Sequence, residues 1–397
     1  MRIIDDDFTQ NNNMNYFSSN FKLGILGGGQ LGKMLLYNTR KFDIYTCVLE
    51  ASEAAPCRIA CDEFHLGDLL DYDAVYNFGK HVDVLTIEIE NVNIEALADL
   101  EKEGVKVYPS SKTLRTIQNK AKQKLFYVDH NLPTAPFSRF AYLSEIKEAI
   151  NHGGLKLPFV WKVAQFGYDG QGVKIVKSIE DLEGLPKGEC IAEELVPFKN
   201  ELAVIVARSA AGEVKSYPVV EMEFHPEANQ VEYVICPARI PEAVAKKAQE
   251  VALKTSEAYN HVGLLAVEMF QTQNDEILIN EVAPRPHNSG HQTIEASYTS
   301  QFEQHIRAIL GLPLGKTDSK VGGVMVNLVG AEGYTGDVVY ENIAEIMKMA
   351  GVTPHIYGKK QTRPFRKMGH VTIVNEDLNE ARKIAEQVKG LIKVIST

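Results

Sequence analysis

The chain has 397 residues, 45% hydrophobic and 24% charged, with a formal net charge of −10. That length exceeds one compact core, so two or three domains are expected. The negative balance argues against a general nucleic-acid binder, and no apolar run is long enough to span a membrane.

Cys47, Cys57, Cys61, Cys190 and Cys236 are odd in number, and no second pair at zinc spacing joins Cys57 and Cys61. Reduced thiols in a cytoplasmic protein are the simpler expectation. Residues 1–20, with three aspartates and an Asn run, lack a basic or apolar targeting region. They read as a disordered leader, with Met14 as an alternative start.

From 21 the pattern gives a strand at 23–26, the turn Gly27-Gly28-Gly29-Gln30-Leu31-Gly32, and a helix through 38. Strands follow at 44–49, just before Glu50, and at 82–89, which ends in the acidic stretch Glu88-Ile89-Glu90. Strands alternating with helices imply a parallel α/β sheet with ligands at the carboxyl ends. Gly27-x-Gly29-x-x-Gly32 fits a dinucleotide fingerprint with Glu50 at ribose distance, and equally a plain strand-to-helix turn. An NAD-dependent oxidoreductase is one reading of this loop. Gln30 meeting a substrate at the helix start is another.

Residues 113–130 are Lys-rich and helical, and short strands then dominate at 159–163, 173–176, 190–196, 201–207 and 217–221. Between the first two lies Phe166-Gly167-Tyr168-Asp169-Gly170-Gln171-Gly172. Three glycines so close exceed what a hairpin needs, and they let bare N–H groups approach phosphates beside Lys162.

A helix at 241–260 leads to strands at 264–270 and 276–282, which carry Glu268 and Glu281. Each carboxylate interrupts an aliphatic strand, where an unpaired charge is costly to bury. A hairpin sets the two strands side by side, and a cation between the acids relieves their repulsion. Mg²⁺ suits such a pair and completes its shell with phosphate oxygens and water. Ala283-Pro284-Arg285-Pro286-His287-Asn288-Ser289 follows, stiffened by two prolines and rich in donors for a planar anion. After a helix near 300–310, a last small α/β piece runs over 320–397. Within it, His355 to His370 contains Lys359, Lys360, Arg363, Arg366 and Lys367 with no acid, as either a solvated loop or a substrate-phosphate site.

Lys162, the second glycine loop, Glu193-Glu194-Leu195-Val196 with Glu201, and the Glu268/Glu281 pair together resemble an ATP-grasp ligase over about 21–397. Within that superfamily, GGGQLGKM, TIEIENV, FGYDGQGV and NEVAPRPHNSGH resemble the 5-(carboxyamino)imidazole ribonucleotide synthetase family of de novo purine biosynthesis. The resemblance implies an α/β fold in three parts: a Rossmann-like domain over 21–112, an ATP-grasp domain over 113–310 with its flap at about 132–197, and a C-terminal domain over 311–397. It also implies a homodimer that uses ATP, Mg²⁺, bicarbonate and 5-aminoimidazole ribonucleotide. Carboxyphosphate would form first, and the products would be the N-carboxy ribonucleotide, ADP and phosphate.

Carried over by position, Lys120 and Lys162 neutralise the ATP phosphates, while Gly167, Tyr168, Gly170, Gln171 and Gly172 close over them. Glu193, Glu194, Leu195 and Val196 frame the adenine, Glu201 meets the ribose, and Asn280 adjoins Glu281. Glu268 and Glu281 hold Mg²⁺. Arg285, His287 and Asn288 gather bicarbonate, and Asp169 is the candidate base. Gln30, Glu88, Tyr168, Lys360, Arg363 and Arg366 surround the ribonucleotide. Lys120 departs from the pattern, because many members carry Arg there, and planar phosphate contact is weakened while the charge stays. The nearest sibling is the formate-using glycinamide ribonucleotide transformylase; Gln30, Asn288-Ser289 and Tyr168-Asp169 favour the bicarbonate enzyme.

Overall fold

A computed structural model of the chain describes residues 15–165, 172–225 and 230–397. Gly167, Tyr168, Asp169, Gly170 and Gln171 therefore lie outside the described residues, as does Met14. Residues 15–20, expected within a disordered leader, instead form a turn. The Tyr16 ring meets Phe21 edge-on at 5.2 Å, and Phe21 N donates to Ser18 O.

Strands β1 (Lys22–Leu26), β2 (Tyr45–Glu50), β3 (Glu63–Leu66), β4 (Val84–Ile87) and β5 (Lys106–Tyr108) pair in parallel in the order β3-β2-β1-β4-β5. Their side chains alternate between two cores. Leu23, Ile25, Val48 and Val84 pack with helix α1 (Gln30–Lys41). Leu26, Cys47, Leu49, Leu85 and Ile87 pack with α2 (Tyr72–Gly79) and α3 (Ile94–Lys102). Burial on both faces explains the nearly continuous apolar runs of these strands.

The expected helix at 113–130 is two helices, α4 (Ser111–Ile117) and α5 (Lys120–Asp129). Asn119 ends one and caps the next, its side chain accepting from Lys122 N. A four-stranded antiparallel sheet follows, from β6 (Phe137–Phe140), β7 (Phe159–Val163), β8 (Val173–Val176) and β9 (Cys190–Glu194), in the order β6-β9-β7-β8. Ile146 of α6 (Leu143–Asn151) packs there on Phe159, Trp161 and Val176. β9 stops short of the expected 196 because Pro197 follows and the chain crosses to another sheet.

That sheet is the largest. Its early strands are β10 (Phe198–Arg208), β11 (Val214–Ser216), β12 (Val220–Phe224) and β13 (Val231–Cys236). Helix α7 (Glu242–Tyr259) precedes β14 (Gly263–Thr272) and β15 (Ile277–Ala283), and α8 (Thr293–Ala296) and α9 (Gln301–Ile309) come next. The C-terminal part contributes β16 (Gly322–Val329), β17 (Gly336–Glu341), α10 (Ile343–Ile346), β18 (Val352–Ile356), β19 (Gln361–Thr362), β20 (Lys367–Asn375), α11 (Leu378–Leu391) and β21 (Lys393–Ser396).

Among the described residues the order is β15-β14-β10-β12-β13-β16-β20-β18, with β11 beside β10. The strand expected at 217–221 sits three residues later, since Pro218 offers no N–H to the ladder. The last α/β piece is not free-standing: β16 pairs with β13, Tyr233 opposite Val326. No described helix is long and apolar enough to cross a membrane.

Candidate active site

The site forms where β15, β7, α5 and the end of β4 converge. Glu268 on β14 lies directly opposite Glu281 on β15. The register slips just beyond this pair, so Asn280 is an extra residue on β15. Consecutive strand residues ordinarily point to opposite faces, but a bulge re-aims one of them. Here it lets Asn280 and Glu281 both serve the cleft. Asn280 Oδ1 accepts from Lys162 Nζ at 2.9 Å, and Glu281 Oε2 from Lys120 Nζ at 2.6 Å.

Two lysines one helical turn apart, Lys120 and Lys124, share a face of α5. Lys120 N donates to Ala164 O, which fastens the start of α5 to the end of β7. Lys124 is 1% exposed, and burial lowers its pKa to about 8 despite its neighbour Glu193. Glu193 Oε2 lies 2.9 Å from Lys162 Nζ, and its Oε1 lies 3.4 Å from Lys124 Nζ. Burial works to raise the Glu193 carboxyl, but the two ammonium groups outweigh it and hold the acid below its ordinary range. One acid between two lysines leaves a local surplus of positive charge beside β7, while Glu201, Glu268 and Glu281 line the rest of the cleft.

The two facing acids differ. Lys120 holds the Glu281 carboxyl well below the usual carboxylate range. Burial, and then the charge of Glu281, pushes Glu268 up. Both offer hard oxygen donors from neighbouring strands, and the Lys120 ammonium already sits against one of them. The pair fits a divalent ion such as Mg²⁺. Glu201, half-buried near Lys162 and Glu281, is pushed up to about 7 by that burial.

Next to the acids, His287 Nε2 stands 3.3 Å from Glu268 Oε1, and its Nδ1 lies 2.9 Å from Ser289 Oγ. Arg285 Nε meets Glu90 Oε2 at 2.8 Å, which joins the end of β15 to the end of β4. Asn288 is held by Asn327 through paired carboxamide bonds. Leu195 is exposed and Val196 half-buried in the link between β9 and β10, while Glu194 N donates to Pro136 O. Gly172 keeps φ at +79°, where glycine is favoured.

The first glycine loop corrects two expectations. Gly29 N and Gly32 N both donate to Glu88, each at 2.8 Å, and Gly28 N donates to Glu50 Oε2 at 2.8 Å. The amides that would cradle a dinucleotide pyrophosphate are thus filled by the protein's own carboxylates. The NAD reading fails on that geometry. Glu88, expected at the ribonucleotide, has both oxygens committed to loop amides and is buried, so in this conformation it shapes the loop beside Gln30. Its neighbour Glu90 is the acid that faces the cleft.

Lys33, one turn after Gln30, donates to Ile356 O at 3.0 Å and so sets α1 against the basic loop. In that loop Lys360 and Arg363 are exposed, and Arg366 Nη1 donates to Gln361 O at 2.6 Å. Sequence reasoning missed Glu90, Lys124 and Asn327. Glu90 was visible in the acidic stretch, and Lys124 in the four-residue spacing from Lys120.

A strand-borne lysine over a flap sheet, two facing carboxylates on the central hairpin and a parallel N-terminal domain define an ATP-grasp enzyme. Residues 21–118 match the ribonucleotide synthetase preATP-grasp domain, 125–302 the ATP-grasp domain, and 323–384 the phosphoribosylaminoimidazole carboxylase C-terminal domain. The chain is 39% identical over 362 residues to N5-carboxyaminoimidazole ribonucleotide synthase of Bacillus subtilis, covering 90% of this chain and 92% of that protein. It is 38% identical to phosphoribosylaminoimidazole carboxylase of Candida albicans, covering 93% of this chain but 66% of that longer protein.

Among solved structures, the N5-carboxyaminoimidazole ribonucleotide synthetase of Thermotoga maritima superposes with a TM-score of 0.87 at 42% identity, over 95% of this chain and 100% of that one. The Aspergillus clavatus enzyme, in complex with ADP and 5-aminoimidazole ribonucleotide, superposes with a TM-score of 0.84 at 34% identity, over 94% and 98%. The chain belongs to the N5-carboxyaminoimidazole ribonucleotide synthase family.

Proposed function

We propose that this enzyme uses ATP to activate bicarbonate and transfers its carboxyl group to the exocyclic amine of 5-aminoimidazole ribonucleotide. One observation carries the reading: Glu268 faces Glu281 across a strand pair, with Lys120 on one acid and His287 on the other. That arrangement suits a metal-bound triphosphate next to a small planar anion.

Glu268 and Glu281 would hold Mg²⁺, which neutralises charge on the phosphates when bound. Lys162 and Lys120 meet the same phosphates from β7 and α5. Arg285, fixed by Glu90, and His287 orient bicarbonate so that one of its oxygens attacks the terminal phosphorus as ADP leaves. Carboxyphosphate then breaks its carbon–oxygen bond to release phosphate and CO₂. The amine nitrogen bonds to that carbon, and its proton goes to a base, for which Asp169 is the candidate. Closure of the 166–172 loop would keep water from the intermediate.

Glu193, Glu194, Leu195 and Val196 frame the adenine, and Glu201 takes the ribose. Gln30, Tyr168, Lys360, Arg363 and Arg366 surround the ribonucleotide, with the loop-shaping Glu88 behind Gln30. A cytoplasmic homodimer rests on the family resemblance alone. Phosphate release from ATP, measured with and without the ribonucleotide in bicarbonate-depleted and bicarbonate-supplied buffer, tests the reading. Full release requires both, and release independent of bicarbonate would overturn it.

A further inference from the structure

Strand β16 reads Gly-Gly-Val-Met-Val-Asn-Leu-Val, and Asn327 is its one polar side chain. A carboxamide in such a strand, only 8% exposed, is costly unless its donors and acceptor are met. They are met in a specific way. Asn327 Nδ2 donates to Val231 O at 2.8 Å and to Asn288 Oδ1 at 2.9 Å, while Asn327 Oδ1 accepts from Asn288 Nδ2 at 2.9 Å. A backbone carbonyl only accepts, so Val231 fixes which end of the Asn327 amide carries the hydrogens. The orientation of Asn288 follows from that. Both Asn327 hydrogens are used, and Asn288 keeps one N–H unspent.

The same strand holds the basic loop. Two residues past Asn327, Val329 pairs with Lys367; Gly330 N then donates to Arg366 O at 3.0 Å, and Phe365 N donates to Gly330 O at 2.9 Å. A side chain at Gly330 would lie 2.2 Å from Arg363 O, so the loop sits directly on this turn. One strand therefore sets both the segment after β15 and the loop that bears Lys360, Arg363 and Arg366.

We propose that Asn327 is a positioning residue for the acid-activating segment: it locks the Asn288 carboxamide so that a single N–H is presented to bicarbonate. This assignment rests on the proposed function. Asn327 touches no reacting atom in it and acts only through Asn288. Replacing it frees the Asn288 amide to rotate and to present an oxygen to the anion, which weakens bicarbonate use while leaving nucleotide binding alone.

The test uses the full chain as wild type, Asn327→Leu, Asn288→Ala and the double variant, with steady-state kinetics against bicarbonate and ATP. Asn327→Leu is expected to lower kcat/KM for bicarbonate about tenfold or more, with KM for ATP within about twofold of wild type. In the Asn288→Ala background the same change should have no further effect, because its target is gone. Asn327→Ser, which also removes the paired amide but fills less volume, carries the same expectation if the leucine variant does not fold. An undiminished loss in the Asn288→Ala background, or an equal rise in KM for ATP, overturns the assignment. A wild-type enzyme whose phosphate release never depends on bicarbonate overturns the proposed function, and this assignment with it.

Discussion

Two pairs of glutamates sit within this molecule, and they have opposite fates. Glu50 and Glu88 stand under the first glycine loop, and Glu268 and Glu281 face one another on the central hairpin. The first pair is satisfied by backbone N–H groups of Gly28, Gly29 and Gly32, donors that belong to the fold and never leave. The second pair is set acid opposite acid, with a lysine on one member, and the proposed function places a cation there. Carboxylates answered by amides are architecture, whereas the proposed function assigns the reaction to the acids that face one another beside a lysine.

That contrast can be broken most severely at Glu281. Glu281→Gln keeps shape but loses charge, and phosphate release from ATP is expected to fall at least about a hundredfold while the protein stays folded. Unfolding midpoints should move little, because the loss of the Lys120 contact is offset in part by relief of the like charge on Glu268. Glu88→Gln should invert this pattern. One of two loop amides loses its acceptor, and stability should drop by about 1–3 kcal/mol in urea unfolding. A Glu88→Gln protein as stable as wild type would erase the distinction between the pairs.

A smaller effect concerns the joint between the N-terminal sheet and α9. His305 Nε2 pairs with Thr86 Oγ1 at 2.9 Å, and burial lowers its pKa to about 3. Between that value and the ordinary histidine range the unfolded chain binds a proton that the folded chain refuses. Stability therefore falls as pH drops through this window and is flat above it, by up to about 1.4 kcal/mol per pH unit for this one group. His305→Gln should shrink the difference between pH 6.5 and 4.5 in chemical unfolding by this group's share, leaving that of the buried His261, His291 and His370. Smallest of these, Glu90→Gln loosens Arg285, and KM for bicarbonate should rise several-fold, on the order of 1 kcal/mol, with KM for ATP unchanged.

Much of this was readable from residues alone. Alternating strands and helices and the hairpin that opposes Glu268 and Glu281 follow from periodicity and from acids in apolar runs. Other features required coordinates. In the stretch Glu88-Ile89-Glu90 the strand ends at Ile87, so alternation no longer dictates where each acid points; one turns beneath the glycine loop and the other toward Arg285. The bulge at Asn280 has no signature in composition, yet it decides that two successive side chains reach one cleft. Asn119, an ordinary polar residue in a lysine-rich run, splits a helix because its side chain answers the next turn's amide.

The continuous sheet that passes from β13 into β16 has a practical consequence for anyone dissecting the chain. Cutting the gene near residue 311, where Gly-Leu-Pro invites a boundary, would strip β16 away and leave β13 as a raw edge of unpaired N–H and C=O groups flanked by Tyr233 and Ile235. Such a fragment is expected to precipitate through edge-to-edge pairing, which sedimentation of the expressed product would reveal.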